Sequence, residues 1–239
     1  MDELETFYNQ RKKEIDQYFL FLKELDIDQN KNYTISALGD IVQEDKVFEL
    51  KEINTQILKS SCILIIYNCI EGTVYKSLEC IFDKISEEKL NYKSIIVEIQ
   101  NIWLKSKIPQ KNTLDEIKIE ILFEHIEHII SNNINLNLKD FLEKNRGYFG
   151  KGNITDNLIH EELFPKIGLI VSQKIVEPKI DDIKDNRNRL AHGGASFSEL
   201  GKTLSFSELE TDKNRIFKFL EKYVNEIKNY ITTNKYKKN

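Results

Sequence analysis

Proline and glycine are scarce in this chain, at three and nine of 239 residues. So few chain breakers exclude a turn-rich architecture and favour a nearly all-helical fold. Cysteine is scarce too. Cys62, Cys69 and Cys80 are spaced 7 and 11 residues apart, which puts them on one helix face but too far apart along it for a disulfide. They are expected as buried free thiols in a reducing cytoplasm. The longest apolar run, Cys62 to Ile70, falls far short of the roughly 20 residues that cross a bilayer. The N-terminal MDELETFYNQRKKE lacks the apolar core of a secretory signal. These absences predict a cytoplasmic protein with no membrane partner. Excess positive charge is also missing. A net charge of −4 argues against a broad basic face that coats nucleic acid, while leaving room for a small phosphate site.

What is present is the 40% hydrophobic and 31% charged balance of a globular protein, arranged with helical period. Residues 2–25 carry Leu4, Tyr8, Arg11, Ile15, Tyr18, Leu22 and Leu25 in alternating steps of four and three, an amphipathic helix with a narrow seam. A polar stretch, 26–36, leads to a long helical region of about 40–90. It reads as amphipathic at first, through Val47, Leu50, Ile53 and Ile57, and as apolar all round from Cys62 to Ile70. That makes it the central helix. Shorter helices follow around Ile95–Leu104 and Leu114–Ile130, the second capped by Asn112-Thr113. NRGYFGKGN (145–153) is a loop, and a short helix falls near Asp156–Ile167. Pro178 suits the first turn of the next helix, which Gly193-Gly194 ends. Residues 207–231 form a last helix with Leu209, Ile216, Leu220 and Ile227 on one face. The expected architecture is a single all-α bundle, with core helices from about 2–90 and 178–233 and an inserted helical subregion of about 95–177.

Basic residues are nearly all lysine: five of the 35 are arginine. Two of those five fall in DNRNRLAHGG, residues 185–194. On a helix, Ile180, Ile183, Arg187 and Leu190 share one seam, so Arg187 takes a place the pattern reserves for an apolar side chain. A guanidinium there is costly unless it is paired or the seam opens onto a cavity or partner. Asn188 lies four residues before His192, on an adjoining face. His192 falls in the last turn, where the negative end of the helix tolerates positive charge. Two glycines then turn the chain away and keep that end open. A fixed cation, a group able to exchange a proton near neutral pH and a polar amide stand together, which suits a phosphodiester.

RNRLAHG (187–193) resembles the Arg-x4-6-His signature of the HEPN superfamily, in which a polar residue often follows the arginine. The wider chain is similar to stand-alone bacterial members with an N-terminal helix rich in basic residues and glutamate, then a buried helix with Tyr-Asn followed by Glu. Here those residues are Tyr67, Asn68 and Glu71 in IIYNCIEG. The resemblance implies a helical bundle and a metal-independent endoribonuclease of toxin–antitoxin or phage-defence type. Arg187 and His192 would be catalytic, with Asn188 supporting. Arg189, Asn68 and Glu71 would be substrate-binding candidates. The implied partners are RNA (tRNA or mRNA), a second copy of the chain, and an antitoxin or defence protein. Some HEPN toxins carry a tyrosine two residues after the histidine, where a nucleotidyltransferase modifies them; Gly194 stands there in this chain.

Other chemistry is poorly represented. No Walker loop, nucleophile elbow or dinucleotide fingerprint occurs, so no cofactor is expected. His125 and His128 are three apart without the zincin pattern, and read as an exposed helix face rather than a metal site. His160 has no evident partner in sequence. Asn68 and Glu71 read either as satisfied buried polar groups or as residues reaching the site from the central helix. A non-catalytic HEPN-like module that binds a nucleotide or a partner protein is the alternative function, and a plain helical scaffold the third.

Overall fold

In the computed structural model, which describes residues 2–25, 33–35, 48–107, 133–150, 153–171, 177 and 179–238, the apolar run 62–70 lies inside the longest of the described helices. The described α-helices are α1 (Asp2–Glu24), α2 (Glu52–Glu87), α3 (Val97–Lys107), α4 (Leu138–Lys144), α5 (Phe164–Lys166), α6 (Lys179–Ala191), α7 (Phe197–Lys202) and α8 (Phe206–Thr232). A 3-10 turn, Tyr92–Ser94, precedes α3, and a π-helical turn, Leu158–Leu163, precedes α5. The fold class is all-α. The only described strands, β1 (Tyr33–Ile35) and β2 (Phe48–Leu50), pair antiparallel with Tyr33 opposite Leu50. The expected helix Leu114–Ile130, His125, His128 and Pro178 lie outside the described residues.

Contacts divide the chain into two compact units, one of residues 8–70 and 177–218 and the other of 1–7, 71–176 and 219–239. In the first, α1 buries Tyr8, Ile15, Phe19 and Leu22. Arg11 of the expected seam is exposed instead, and Phe19 takes a buried place. Lys213 of α8 donates to Asp16 at 2.7 Å while its ammonium sits 4.9 Å from the Phe19 ring centre, so a charge-assisted bond and a cation–π contact hold it together. Arg215 explains a third arginine. Its Nη2 and Nε donate to the two oxygens of Glu177 at 2.8 and 3.3 Å, a two-point geometry that lysine lacks.

The second unit is built on the later turns of α2. Val74, Leu78, Ile81 and Ile85 are fully buried there, and Phe82, Phe141 and Phe149 meet with ring centres 5.7–6.1 Å apart. The Ser77 and Tyr223 hydroxyls hydrogen-bond at 2.6 Å in this core. His160, partnerless in sequence, lies 3.7 Å from Asp156 one turn earlier, its ring edge-on to Phe164.

The first turns of α2 correct the sequence reading. The helix starts at Glu52, not near 40, because β2 occupies 48–50. Ile53 and Ile57 are 52% and 40% exposed, whereas Thr55, Gln56 and Ser60 are buried. The physical reason is α7. Its backbone, not a side chain, lies against this turn: Ser60 Oγ donates to the Phe197 carbonyl, and Gly201 touches the Gln56 backbone. Small polar side chains fit such an approach because a hydroxyl finds carbonyls close by, and the one Ser60 proton is shared between the Phe197 carbonyl and, at 2.7 Å, the Gln56 carbonyl one turn earlier. α2 is also long and apolar enough, by length and composition, to cross a membrane, although half of its most apolar window is buried within the protein, as in a core helix.

Candidate functional site

α6 begins where Glu177 accepts the Lys179 amide at 3.2 Å, and the Lys179 ammonium joins Asp182 and Asp212, both at 3.3 Å. Burial pushes the Asp212 carboxyl up, while Lys179 pulls it the other way. Ile180, Ile183 and Leu190 are buried along the inward stripe, so the register read from the period of the sequence is the register adopted. Arg187 stands in that stripe and is half-buried. Its guanidinium carbon lies 5.0 Å from the ring centre of Tyr67, a fully buried residue of α2. Its Nη1 donates to the Asn188 side-chain oxygen at 3.0 Å. A guanidinium over an aromatic face gains about 0.5–2 kcal/mol according to its desolvation, which offsets part of the cost of a cation in an apolar seam.

His192 follows the last α-helical residue. Its amide closes one more helical bond on the Asn188 carbonyl at 3.0 Å, and its side chain is exposed. Gly193 then takes φ +73°, and a Cβ there would meet nothing within 4 Å. The left-handed backbone alone calls for glycine at this position. Beyond it, Ser196 and Glu199 form a capping box at the start of α7, and the Ser196 amide holds the Glu199 carboxyl below its usual range. α6 and α7 are both fastened to α2, so the segment carrying His192 leaves one anchored helix and enters another.

The sequence-derived candidates therefore separate. Arg187, Asn188 and His192 lie together at the C-terminal end of α6, with Asn188 bonded to the arginine side chain and to the histidine amide. Arg189 is exposed and donates to Asn186 at 3.3 Å. Asn68 is exposed rather than a buried polar group, and lines a cavity of about 220 Å³ with Arg11, Glu14 and Tyr18. One residue along a helix is a turn of about 100°, so Asn68 and Tyr67 look in different directions. Glu71 is half-buried one turn after Tyr67. A second cavity, of about 350 Å³, lies between α6 and the first turns of α8, lined by Lys179, Ile183, Asn186, Ser207 and Asp212. Neither Arg187 nor His192 lines it; the histidine stands on open surface.

The cysteines offer no competing chemistry. Cys62 and Cys69 are buried and Cys80 is half-buried. Burial pushes the Cys62 thiol up to about 12 and raises Cys80 as well, away from the reactive thiolate. Reading the sequence missed two residues of this region. Tyr67 belongs to the IIYNCIEG motif, and nothing local to it announces a stacked arginine. Gly201 gave a signal in SELGK, since a glycine inside a helix costs about 1 kcal/mol and calls for a reason.

The family model described as HEPN_MAE_28990:/-like HEPN matches residues 1–236. The chain belongs to this HEPN family. Neither a curated protein nor a solved structure matches it.

Proposed function

We propose that the protein is an endoribonuclease that cleaves RNA through the substrate's own 2′-hydroxyl, with Arg187 and His192 as catalytic residues. The observation that carries this reading is the end of α6. A guanidinium is held in place on a ring and by Asn188, little more than one turn before an exposed histidine, in a chain of the HEPN family. An exposed histidine suits a polymer strand better than a small molecule that needs enclosure. In the proposed reaction His192 takes the proton of the 2′-hydroxyl, the 2′-oxygen attacks phosphorus, and the bond to the 5′-oxygen breaks as that oxygen is protonated. Arg187 neutralises the charge that builds on the phosphate oxygens. Asn188 orients the arginine.

The nucleophile is part of the substrate, so the step requires no activated water. Cleavage of a mixed-sequence single-stranded RNA is expected to persist in excess EDTA and to leave a 2′,3′-cyclic phosphate and a 5′-hydroxyl, identified by mass spectrometry. A single 2′-deoxy nucleotide at the cut site is expected to stop the reaction there. Loss of cleavage on chelation with recovery on adding Mg²⁺ or Mn²⁺ overturns the mechanism. Binding of the RNA without turnover supports the alternative of a non-catalytic module.

The chemistry also asks for an acid and a base on opposite sides of phosphorus, and the end of α6 offers one histidine. His160 is buried in the other unit. We therefore assign the active form to a symmetric homodimer whose two α6 ends face a shared cleft, an arrangement that supplies a second His192 and a second Arg187. Sedimentation is expected to give twice the chain mass, and mixing His192→Ala with wild type is expected to lower activity beyond dilution. A fully active monomer sinks the two-histidine scheme. Such an activity in the cytoplasm suits a toxin or an anti-phage effector, held in check by an antitoxin or another defence protein.

A further inference from the structure

We infer that Tyr67 is the positioning residue for the Arg187 guanidinium, setting the plane in which that group meets the scissile phosphate; this rests on the ribonuclease reading above. Tyr67 is fully buried, so neither its ring nor its hydroxyl is open to a substrate. Its ring face, however, lies 5.0 Å beneath the Arg187 guanidinium carbon. An aromatic face carries the negative lobe of the ring quadrupole, so it attracts the cation and favours a defined approach. Asn188 fixes one edge, accepting from Nη1 at 3.0 Å. A face contact and an edge contact together define both tilt and rotation, which either one alone leaves open.

The placement explains why the residue is arginine in a lysine-rich chain. An ammonium has no plane to stack and no separate edge to give to Asn188. It also explains how a cation is tolerated on the seam between Ile183 and Leu190. The ring supplies one partner there while the charge keeps its orientation. The essential feature of Tyr67 is then its ring rather than its hydroxyl, and this separates a positioning role from a catalytic one.

The test uses the full-length protein with Tyr67→Phe and Tyr67→Met, the second keeping much of the volume without an aromatic face. Cleavage of a fluorophore–quencher RNA of mixed sequence is followed for kcat and KM. Guanidinium Nε–H resonances are recorded by NMR, with the Arg187 signal identified in Arg187→Lys. Tyr67→Phe is expected to keep kcat within about threefold. Tyr67→Met is expected to lower kcat roughly 10- to 30-fold with KM nearly unchanged, the effect of losing the cation–π contact that holds the guanidinium ready for the charge of the transition state. The Arg187 Nε–H signal is expected at ring-current-shifted, upfield positions in wild type and Tyr67→Phe, and among the other arginines in Tyr67→Met. Equal losses of kcat in both variants, an unchanged kcat in Tyr67→Met, or an unshifted Arg187 signal in wild type overturns the assignment. If Tyr67→Met does not fold, the wild-type and Tyr67→Phe signals still decide it. If wild type cleaves no RNA, the ribonuclease reading fails by itself, while the NMR arm continues to report on the stacking.

Discussion

Arg187→Ala and His192→Ala are each expected to abolish measurable RNA cleavage, together with any toxicity in cells, while leaving the far-ultraviolet circular dichroism unchanged. The magnitude follows from the roles. A positioned acid or base contributes about 10²- to 10⁴-fold, and one preorganised charge aimed at a developing anion about 10²- to 10³-fold. Neither change should unfold the protein. His192 is exposed, and its helical bond is made by its backbone amide, which alanine retains. Arg187→Ala gives up the stacking on Tyr67 but also removes a cation from an apolar seam, so the net cost is on the order of 1 kcal/mol. Asn188→Ala should act more weakly, lowering the rate about tenfold, because it frees one edge of the guanidinium without removing its charge. Two outcomes refute the site: normal cleavage by both alanine variants, or unfolding of both. The measurements are single-turnover rates on a labelled RNA beside thermal melts of the same preparations.

Much of this region was legible in the sequence because its determinants are local. The stripe Ile180, Ile183, Arg187, Leu190 follows from helical period alone, and the pair Gly193-Gly194 marks where the helix ends. The same period located the last helix within a residue at each end, Phe206–Thr232 against the expected 207–231. What escaped depends on partners distant in the chain. Tyr67 looks like one more aromatic in an apolar helix until α6 lies on it. The apolar neighbours of Asn68 in sequence suggest either a buried polar group or a residue reaching the site, yet a helix 36 residues long has faces with different surroundings and Asn68 lies on an exposed one. At the start of α2 the period misled for a related reason. A face that receives another backbone selects small residues and hydroxyls rather than the large apolar side chains that hydropathy detects.

That close approach sets up a large effect on stability, expected for Gly201→Ala. A Cβ at Gly201 would stand 1.9 Å from the Gln56 carbonyl oxygen, 2.5 Å from its carbon and 2.7 Å from its Cα. All three atoms belong to the backbone of α2, so no rotamer change relieves the clash, and α7 or the first turns of α2 must move by more than an ångström. Substituting alanine for glycine inside a helix normally stabilises it by about 1 kcal/mol, so the sign of the result is itself diagnostic. Overpacking against rigid backbone is expected to win, at about 3 kcal/mol of destabilisation or more, which for a chain of this size lowers Tm by roughly 6–12 °C. Displacing α7 also strains the Ser60–Phe197 hydrogen bond and the Ser196 capping box. The 193–196 turn would then lose its second anchor, and His192 its defined position. Activity at a temperature where the variant remains folded should therefore fall with stability, whereas Gly193→Ala, which meets no neighbouring atom, should show only the smaller cost of a left-handed backbone. Thermal denaturation of the two variants side by side checks the pair; a Gly201→Ala protein as stable as wild type would mean that α7 does not pack on Gln56 as described.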